Sequence, residues 1–109
     1  MTVSELANIL ALQSFCLPEP GREVTGGYVG DLLSWVMGRA KAGDAWLTIM
    51  SNQNVAAVAL MTDAACVVLT EDVRPDEALL RRAQQQSINL LGTKRSSFDT
   101  AAALKDLLR

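Results

Sequence analysis

Histidine is absent from the sequence, and cysteine, proline and aromatic residues are all scarce. Without histidine the chain lacks the commonest general base and the commonest metal ligand, which excludes hydrolytic sites of the serine–histidine or cysteine–histidine kind. The two cysteines, Cys16 and Cys66, lie within apolar runs, which favours buried, reduced thiols over a disulfide or a metal site. We assign no catalytic residue, metal or cofactor.

Long runs of positive charge and long apolar runs are missing too. Ten basic residues stand against 12 acidic ones, giving a net charge of −2, and the longest basic clusters are Arg81-Arg82 and Lys94-Arg95. Nucleic-acid binding is disfavoured, because neutralising phosphates requires a basic face. No apolar run approaches the roughly 20 residues that cross a bilayer, and the first residues do not resemble a signal peptide. We expect a cytoplasmic protein without a membrane partner.

The sequence does contain a regular alternation of strand-like runs and helical patterns. The strand-like runs are nearly continuous in apolar residues, which is typical of parallel strands covered on both faces. The alternation predicts an α/β fold: a single three-layer domain over residues 1–109, with a mainly parallel sheet of four to five strands and helices on both faces. Strands are predicted at 13–17, 22–25, 45–50, 65–70 and 88–92, and helices from Thr2 or Ser4, Asp31, Val55, Pro75 and Ser96 or Ser97.

A glycine-rich stretch, Glu23–Ser34, stands between the second predicted strand and the following helix. Gly26 and Gly27 predict a sharp turn, because glycine adopts positive φ without steric cost, and Asp31 is predicted to cap the helix. A strand, a glycine turn and a helix N-terminus together can bind an anion, because free amides point outward. Alternatively, the glycines only allow the turn, since neither common phosphate-binding glycine motif is present.

Small polar residues follow the predicted strands. In an open parallel sheet, ligands bind at the carboxyl ends of the strands, where neutral donors, glycine amides and Lys94 suit a nucleotide or another phosphorylated metabolite. The same residue types also form ordinary turns and caps, so a purely structural role is the alternative. The candidate ligand-binding residues are Thr25, Gly26, Gly27, Asp31, Asn52, Asn54, Thr70 and Thr93.

Two predicted helices carry more apolar surface than one small domain covers. Trp35 points away from the apolar stripe of its helix at 31–42, which predicts cover from another subunit or from a neighbouring loop. The helix at 55–62 is apolar nearly all round, which indicates burial on more than one side. The stripe on the first of these helices comprises Leu32, Leu33, Val36, Met37 and Ala40. We expect a homodimer whose interface includes Trp35, Val55, Val58 and Met61.

Four short segments, taken in order, resemble the stand-alone bacterial proteins built from a single DRTGG domain. The resemblance extends from about Val3 to Leu108, and Thr25-Gly26-Gly27 matches the end of the motif, with Arg22 three residues before the threonine. It implies an α/β domain similar to the N-terminal domain of HPr kinase. Such domains also occur in phosphate acetyltransferases and between the CBS domains of certain inorganic pyrophosphatases. The segments are Arg22–Tyr28, Asp31–Ser34, Asn54–Ala59 and Pro75–Glu77.

In those host proteins the domain is an accessory, dimer-forming or regulatory part, and catalysis belongs to other domains. The resemblance therefore implies a non-catalytic regulatory or ligand-sensing module. Two alternatives stand beside it: a small enzyme acting on a phosphorylated metabolite, and a structural subunit that binds a protein partner in a larger complex. The chain departs from the family pattern at Asn52, where many members carry a histidine, and at Trp35, where many carry a small or acidic residue.

Overall fold

The computed structural model describes all 109 residues and contains five helices and five strands. The helices are α1 (Val3–Ile9), α2 (Leu33–Arg39), α3 (Asn54–Thr62), α4 (Glu77–Gln85) and α5 (Ser97–Leu107). The strands are β1 (Gln13–Cys16), β2 (Gly26–Val29), β3 (Asp44–Thr48), β4 (Cys66–Leu69) and β5 (Leu90–Gly92).

The strands form one sheet in the order β1-β5-β4-β3-β2. β2, β3, β4 and β5 are parallel, whereas β1 pairs antiparallel with β5 at one edge. β3, β4 and β5 are buried along their whole length, which explains their largely apolar sequence. The predicted mainly parallel sheet is confirmed.

Helices cover both faces of the sheet, as predicted. On one face, α2, α3 and α4 pack around Trp46, whose indole Nε1 donates to the Gly30 carbonyl at 2.8 Å. On the other face, α1 and α5 pack against strand residues that include Leu47 and Cys66. The domain therefore has three layers with an apolar cluster on each side of the sheet.

Side-chain caps determine where three of the helices begin. Thr2 and Glu5 form a capping box at α1, in which each side chain accepts from the other residue's backbone amide. The Asp76 carboxylate accepts from the Leu79 amide at α4, and the Ser96 hydroxyl accepts from the Asp99 amide at α5. Each cap satisfies an amide that has no partner within its helix.

The predicted strand at 22–25 followed by a glycine turn is wrong, because the glycines themselves form the strand. Gly26 and Gly27 pair with Asp44 and Ala45 as the first residues of β2. A Cβ on Gly26 would lie 2.6 Å from Asp44 Oδ1, and a Cβ on Gly27 would lie 2.7 Å from Leu104 Cδ2. These glycines thus allow close packing on both faces of an edge strand, and neither has positive φ.

Helix α2 is shorter than the sequence predicts, and Asp31 does not cap it. The helix begins at Leu33, after Leu32 as an N-cap without a side-chain hydrogen bond, and it ends at Arg39. The chain then reaches Gly43, which has φ +86° in the turn before β3. Of the predicted apolar stripe, Val36 is fully buried, whereas Leu32 and Met37 are exposed.

Candidate functional site

Polar side chains lie at the carboxyl ends of the parallel strands, but two of the candidates are already engaged. Asp31 follows β2, and its Oδ1 accepts from Thr48 Oγ1 at 2.8 Å and from the Ile49 amide at 2.9 Å. Thr70 follows β4 and shares a hydrogen bond with Ser97 Oγ. These side chains join neighbouring elements, which satisfies polar groups that would otherwise be buried unpaired.

Thr25, Gly26 and Gly27 lie at the amino ends of the parallel strands, whereas Asp31 and Thr70 lie at the carboxyl ends. Because β2 begins at Gly26, the three mark the amino end of the strand. They line a cavity of about 360 Å³ between β2 and α5, with Lys105 as its one cation. The expectation that they share one edge with Asp31, Thr70 and Thr93 is therefore wrong.

Asn52 and Asn54 belong to the turn between β3 and α3. Asn52 Oδ1 accepts from the Asn54 amide at 2.9 Å, which is the local hydrogen bond of an Asx turn. The structure thus gives Asn52 a turn-forming role. The eight predicted residues are spread over two edges of the sheet and do not form one site.

A basic pocket of about 290 Å³ lies where β5 ends. Arg74, from the loop before α4, and Lys94 and Arg95, from the loop after β5, line it together with Thr93 and Asp72. The Thr93 carbonyl accepts from the Asp72 amide at 3.0 Å, which ties these two loops together. Thr93 is the one predicted ligand-binding residue in this pocket.

The three cations of the basic pocket have no acidic partner within the chain. The ion pairs of the structure join Met1 to Glu23, Arg22 to Asp63 and Arg109 to Asp106. Three of the chain's ten basic residues thus line one pocket against one carboxylate, Asp72, although the whole chain has a net charge of −2. Such a local excess of unpaired positive charge attracts anions.

An aromatic side chain forms another wall of the basic pocket. Phe15 lies at an irregularity in β1, since Ser14 pairs with Leu91 and Cys16 pairs with Leu90, which leaves Phe15 unpaired as a bulge. Bulges redirect side chains and are enriched near functional sites. A Cβ on Gly92 would lie 2.5 Å from Phe15 Cε2, so the ring occupies space that only glycine leaves free.

Sequence reasoning missed Arg74, Arg95 and Phe15 as site residues. Lys94-Arg95 directly after the last strand was the available signal, because the carboxyl end of a parallel strand is where ligands bind. Nothing in the sequence shows that Phe15 lies beside that loop. The contact requires the antiparallel pairing of β1 with β5, which brings together residues far apart in the chain.

The four predicted interface residues differ in accessibility. Trp35 is 54% exposed and Met61 is 70% exposed, whereas Val55 is 0% exposed and Val58 is 7% exposed. Val55 and Val58 pack in the cluster between the sheet and α2, α3 and α4, so they leave no surface for a second chain. The apolar character of α3 is explained by the helices on its two sides.

Trp35 lies in an exposed apolar region that we call the Trp35 patch, formed by Val29, Leu32 and Trp35. These side chains line one shallow depression of about 350 Å³ at the end of β2. The Arg39 guanidinium lies over the indole ring, 3.9 Å from its centroid, which is a cation–π contact. Trp35 keeps about half of its surface exposed.

The described groups offer little nucleophilic chemistry. Burial raises the pKa of the Cys66 thiol to about 12, and desolvation also raises the pKa of the Cys16 thiol, so neither is a ready thiolate. No three acidic or cysteine side chains are grouped in a way that would hold a metal ion. None of the helices has the length and apolar character needed to cross a membrane.

Comparisons with known proteins identify the family. The model of the DRTGG domain matches residues 31–107, and no curated protein matches the chain. A similar solved structure is that of the CBS and DRTGG domains of the regulatory region of Clostridium perfringens pyrophosphatase, complexed with the activator diadenosine tetraphosphate. It superimposes with a TM-score of 0.69 at 14% identity, over 93% of this chain and 44% of that one. This chain thus spans less than half the length of that structure, and it belongs to the DRTGG domain family.

Proposed function

We propose that this DRTGG domain is a non-catalytic regulatory module that binds a phosphorylated small molecule in the basic pocket. The observation that carries the proposal is the convergence of Arg74, Lys94 and Arg95 on one pocket without any intramolecular ion pair. Phosphate groups suit such a site, because guanidinium and ammonium groups form short, charge-assisted hydrogen bonds with their oxygens.

The location of the pocket supports the same proposal. It lies at the carboxyl ends of β4 and β5, beside the antiparallel strand β1. Open α/β sheets bind ligands at this edge, where loops carry variable side chains on a rigid frame. The proposed site therefore differs from the glycine stretch at Gly26 and Gly27, which offers one lysine and lies at the other edge.

A regulatory role is supported by the family and by the chemistry of the pocket. The similar structure from Clostridium perfringens is described as part of a regulatory region that binds an activator. In the basic pocket of this chain, Asp72 is the one carboxylate, and no thiol is present. Neither Lys94 nor Thr93 has a general base hydrogen-bonded to it that would activate it as a nucleophile, whereas the cations suit the binding of an anion.

The proposal is tested by titrating inorganic pyrophosphate into the protein and into Arg74→Gln and Lys94→Gln, with calorimetric detection. Each substitution should weaken binding about fivefold to tenfold, which corresponds to about 1–1.4 kcal/mol at 25 °C. Arg81→Gln is the matched control, because Arg81 is an exposed arginine on α4 that does not line the pocket. Equal affinities in all four proteins, or no binding to any, would contradict the proposal.

We also propose that the module forms a homodimer through the Trp35 patch. Val29, Leu32 and Trp35 are each at least half exposed, and Val29 ends β2, whose outer edge has no partner strand. An unpaired strand edge beside an apolar patch is a surface that pairs with a second copy by a two-fold axis. Of the other expected interface residues, Met61 is exposed but does not line this depression, and Val55 and Val58 are buried.

A further inference from the structure

We infer that the ligand of the basic pocket is a mononucleotide, with its base against Phe15 and its phosphate on the cations. This inference rests on the proposed function and names the ligand class of the same pocket. Three features carry it: an aromatic wall, a neutral amide without a hydrogen-bond partner, and three cations in the same pocket. The aromatic ring and the amide come from β1, whereas the cations come from the loops before α4 and after β5.

Phe15 provides the aromatic wall. Its ring is half-buried, packs in part against the apolar cluster beneath α4, and forms one side of the pocket. The cluster and the bare backbone of Gly92 hold the ring in place. A fixed aromatic ring favours stacking with a nucleobase, because every base has a π-face and little side-chain entropy is lost on binding.

Gln13 provides the hydrogen-bonding group. It is exposed at the start of β1, lines the pocket, and its side-chain amide has no hydrogen-bond partner within the chain. An amide presents a donor and an acceptor side by side, which matches the edge of a base such as adenine. Gln13 pairs with Gly92, whose bare backbone faces the Phe15 ring, and both side chains line the same pocket.

The charged residues complete the match. Arg74, Lys94 and Arg95 suit a phosphate, and the exposed Asp72 carboxylate can accept from ribose hydroxyl groups, as acidic residues do in other nucleotide sites. The volume of about 290 Å³ lies at the lower end of small-molecule pockets, which span about 300–1,000 Å³. This volume suits one nucleoside with its phosphate better than two nucleosides linked by a polyphosphate.

The test compares adenosine 5′-monophosphate with ribose 5-phosphate by isothermal titration calorimetry. The two share the sugar and the phosphate, so their difference isolates the base. We expect the nucleotide to bind roughly 5- to 150-fold more tightly, as stacking free energies of about 1–3 kcal/mol per base imply. Phe15→Leu should remove most of that difference and leave the affinity for ribose 5-phosphate unchanged.

Phe98→Leu is the matched control, because Phe98 is 83% exposed on α5 and does not line the pocket. Equal affinities of the unaltered protein for the two compounds would overturn the nucleotide inference while leaving the proposed function intact. Binding of neither compound would also overturn the nucleotide inference, and the pyrophosphate titration then decides whether the proposed function falls with it. Should Phe15→Leu lack a folded circular dichroism spectrum, Gln13→Ala replaces it, and an unchanged preference for the nucleotide in that variant would contradict the role of Gln13.

Discussion

At the scale of single residues, the sequence predicts positive φ at Gly26 and Gly27, whereas the structure has positive φ at other residues. Gly26 and Gly27 lie in an extended strand. Five other residues, none of them glycine, have positive φ, among them Ala11 and Asp72 at the basic pocket. Glycine in a sequence is compatible with a sharp turn, with positive φ or with close packing. Here the contacts with Asp44 and Leu104 show that these two glycines allow close packing.

Replacing Ala11 by glycine should stabilise the protein. Ala11 has φ 52°, where a Cβ crowds the following carbonyl and costs roughly 1–2 kcal/mol, partly offset by the greater freedom of glycine in the unfolded chain. We expect Ala11→Gly to raise the free energy of unfolding in urea by about 0.5–1 kcal/mol. Ala7→Gly is the control, because Ala7 lies in α1 and the change should destabilise by about 1 kcal/mol. A loss of stability in Ala11→Gly would contradict this account.

Cys66 should make the stability of the protein depend on alkaline pH. Its thiol has a pKa of about 12 in the folded protein, against about 8.5 in an unfolded chain. Since the folded pKa is the higher one, the contribution of the neutral thiol is intact below about pH 8.5 and is lost as the pH rises towards 12. Unfolding measured in urea between pH 8 and 11 should therefore show a steeper loss of stability in the unaltered protein than in Cys66→Ala.

Cys16→Ala serves as the control for that measurement. Burial raises the pKa of the Cys16 thiol by less than that of Cys66, because Cys16 is partly exposed. Its removal should therefore have a smaller effect on how steeply stability falls with rising pH. Identical slopes in the unaltered protein and in Cys66→Ala would show that the Cys66 thiol is not kept neutral by folding.

At the scale of helices and strands, the alternation of the sequence was a reliable guide for the buried elements. β3, β4 and β5 each have continuous apolar runs, and α4 and α5 begin at recognisable caps. The elements at the sheet edges were harder to predict, because β1 has four residues with a mixed burial pattern and β2 begins with two glycines. The orientation of β1 depends on its partner β5, about 75 residues later, which local patterns do not encode.

Asp31 links the ends of β2 and β3, so removing its carboxylate should weaken the domain. Asp31→Ala leaves the buried Thr48 hydroxyl and the Ile49 amide without their acceptor, which should cost about 2 kcal/mol in the free energy of unfolding. Asp31→Asn retains an oxygen in the same place and should cost about 0.5–1 kcal/mol. Equal losses for the two variants in urea titrations would show that the charge, and not the acceptor, is what this site requires.

At the scale of the whole molecule, the chain's own helices cover β3, β4 and β5 on both faces of the sheet, but they leave the edge strand β2 partly exposed. Val29, Leu32 and Trp35 remain exposed there, and the sequence indicated the exposure of Trp35 from its position off the apolar stripe. The sequence could not show that Val55 and Val58 are covered by their own chain. A helix that packs between helices of its own chain has the same apolar pattern as one that packs against another subunit.

The homodimer proposal predicts that a charge in the Trp35 patch separates the subunits. Trp35→Lys removes the apolar ring and places like charges opposite each other across a two-fold axis, so sedimentation velocity at about 50 μM should change from a dimer to a monomer. Phe98→Lys is the control, because Phe98 is also exposed but lies outside the patch. A monomer in the unaltered protein at that concentration would contradict the proposal.

The most direct test of the central claim is a nuclear magnetic resonance titration of the ¹⁵N-labelled protein with inorganic pyrophosphate. The account predicts that amide shifts concentrate at the basic pocket, from Asp72 to Arg74 and from Gly92 to Arg95, and that they saturate. Shifts concentrated instead at Thr25, Gly26 and Gly27, or spread evenly over the surface, would contradict a ligand site at the end of β5.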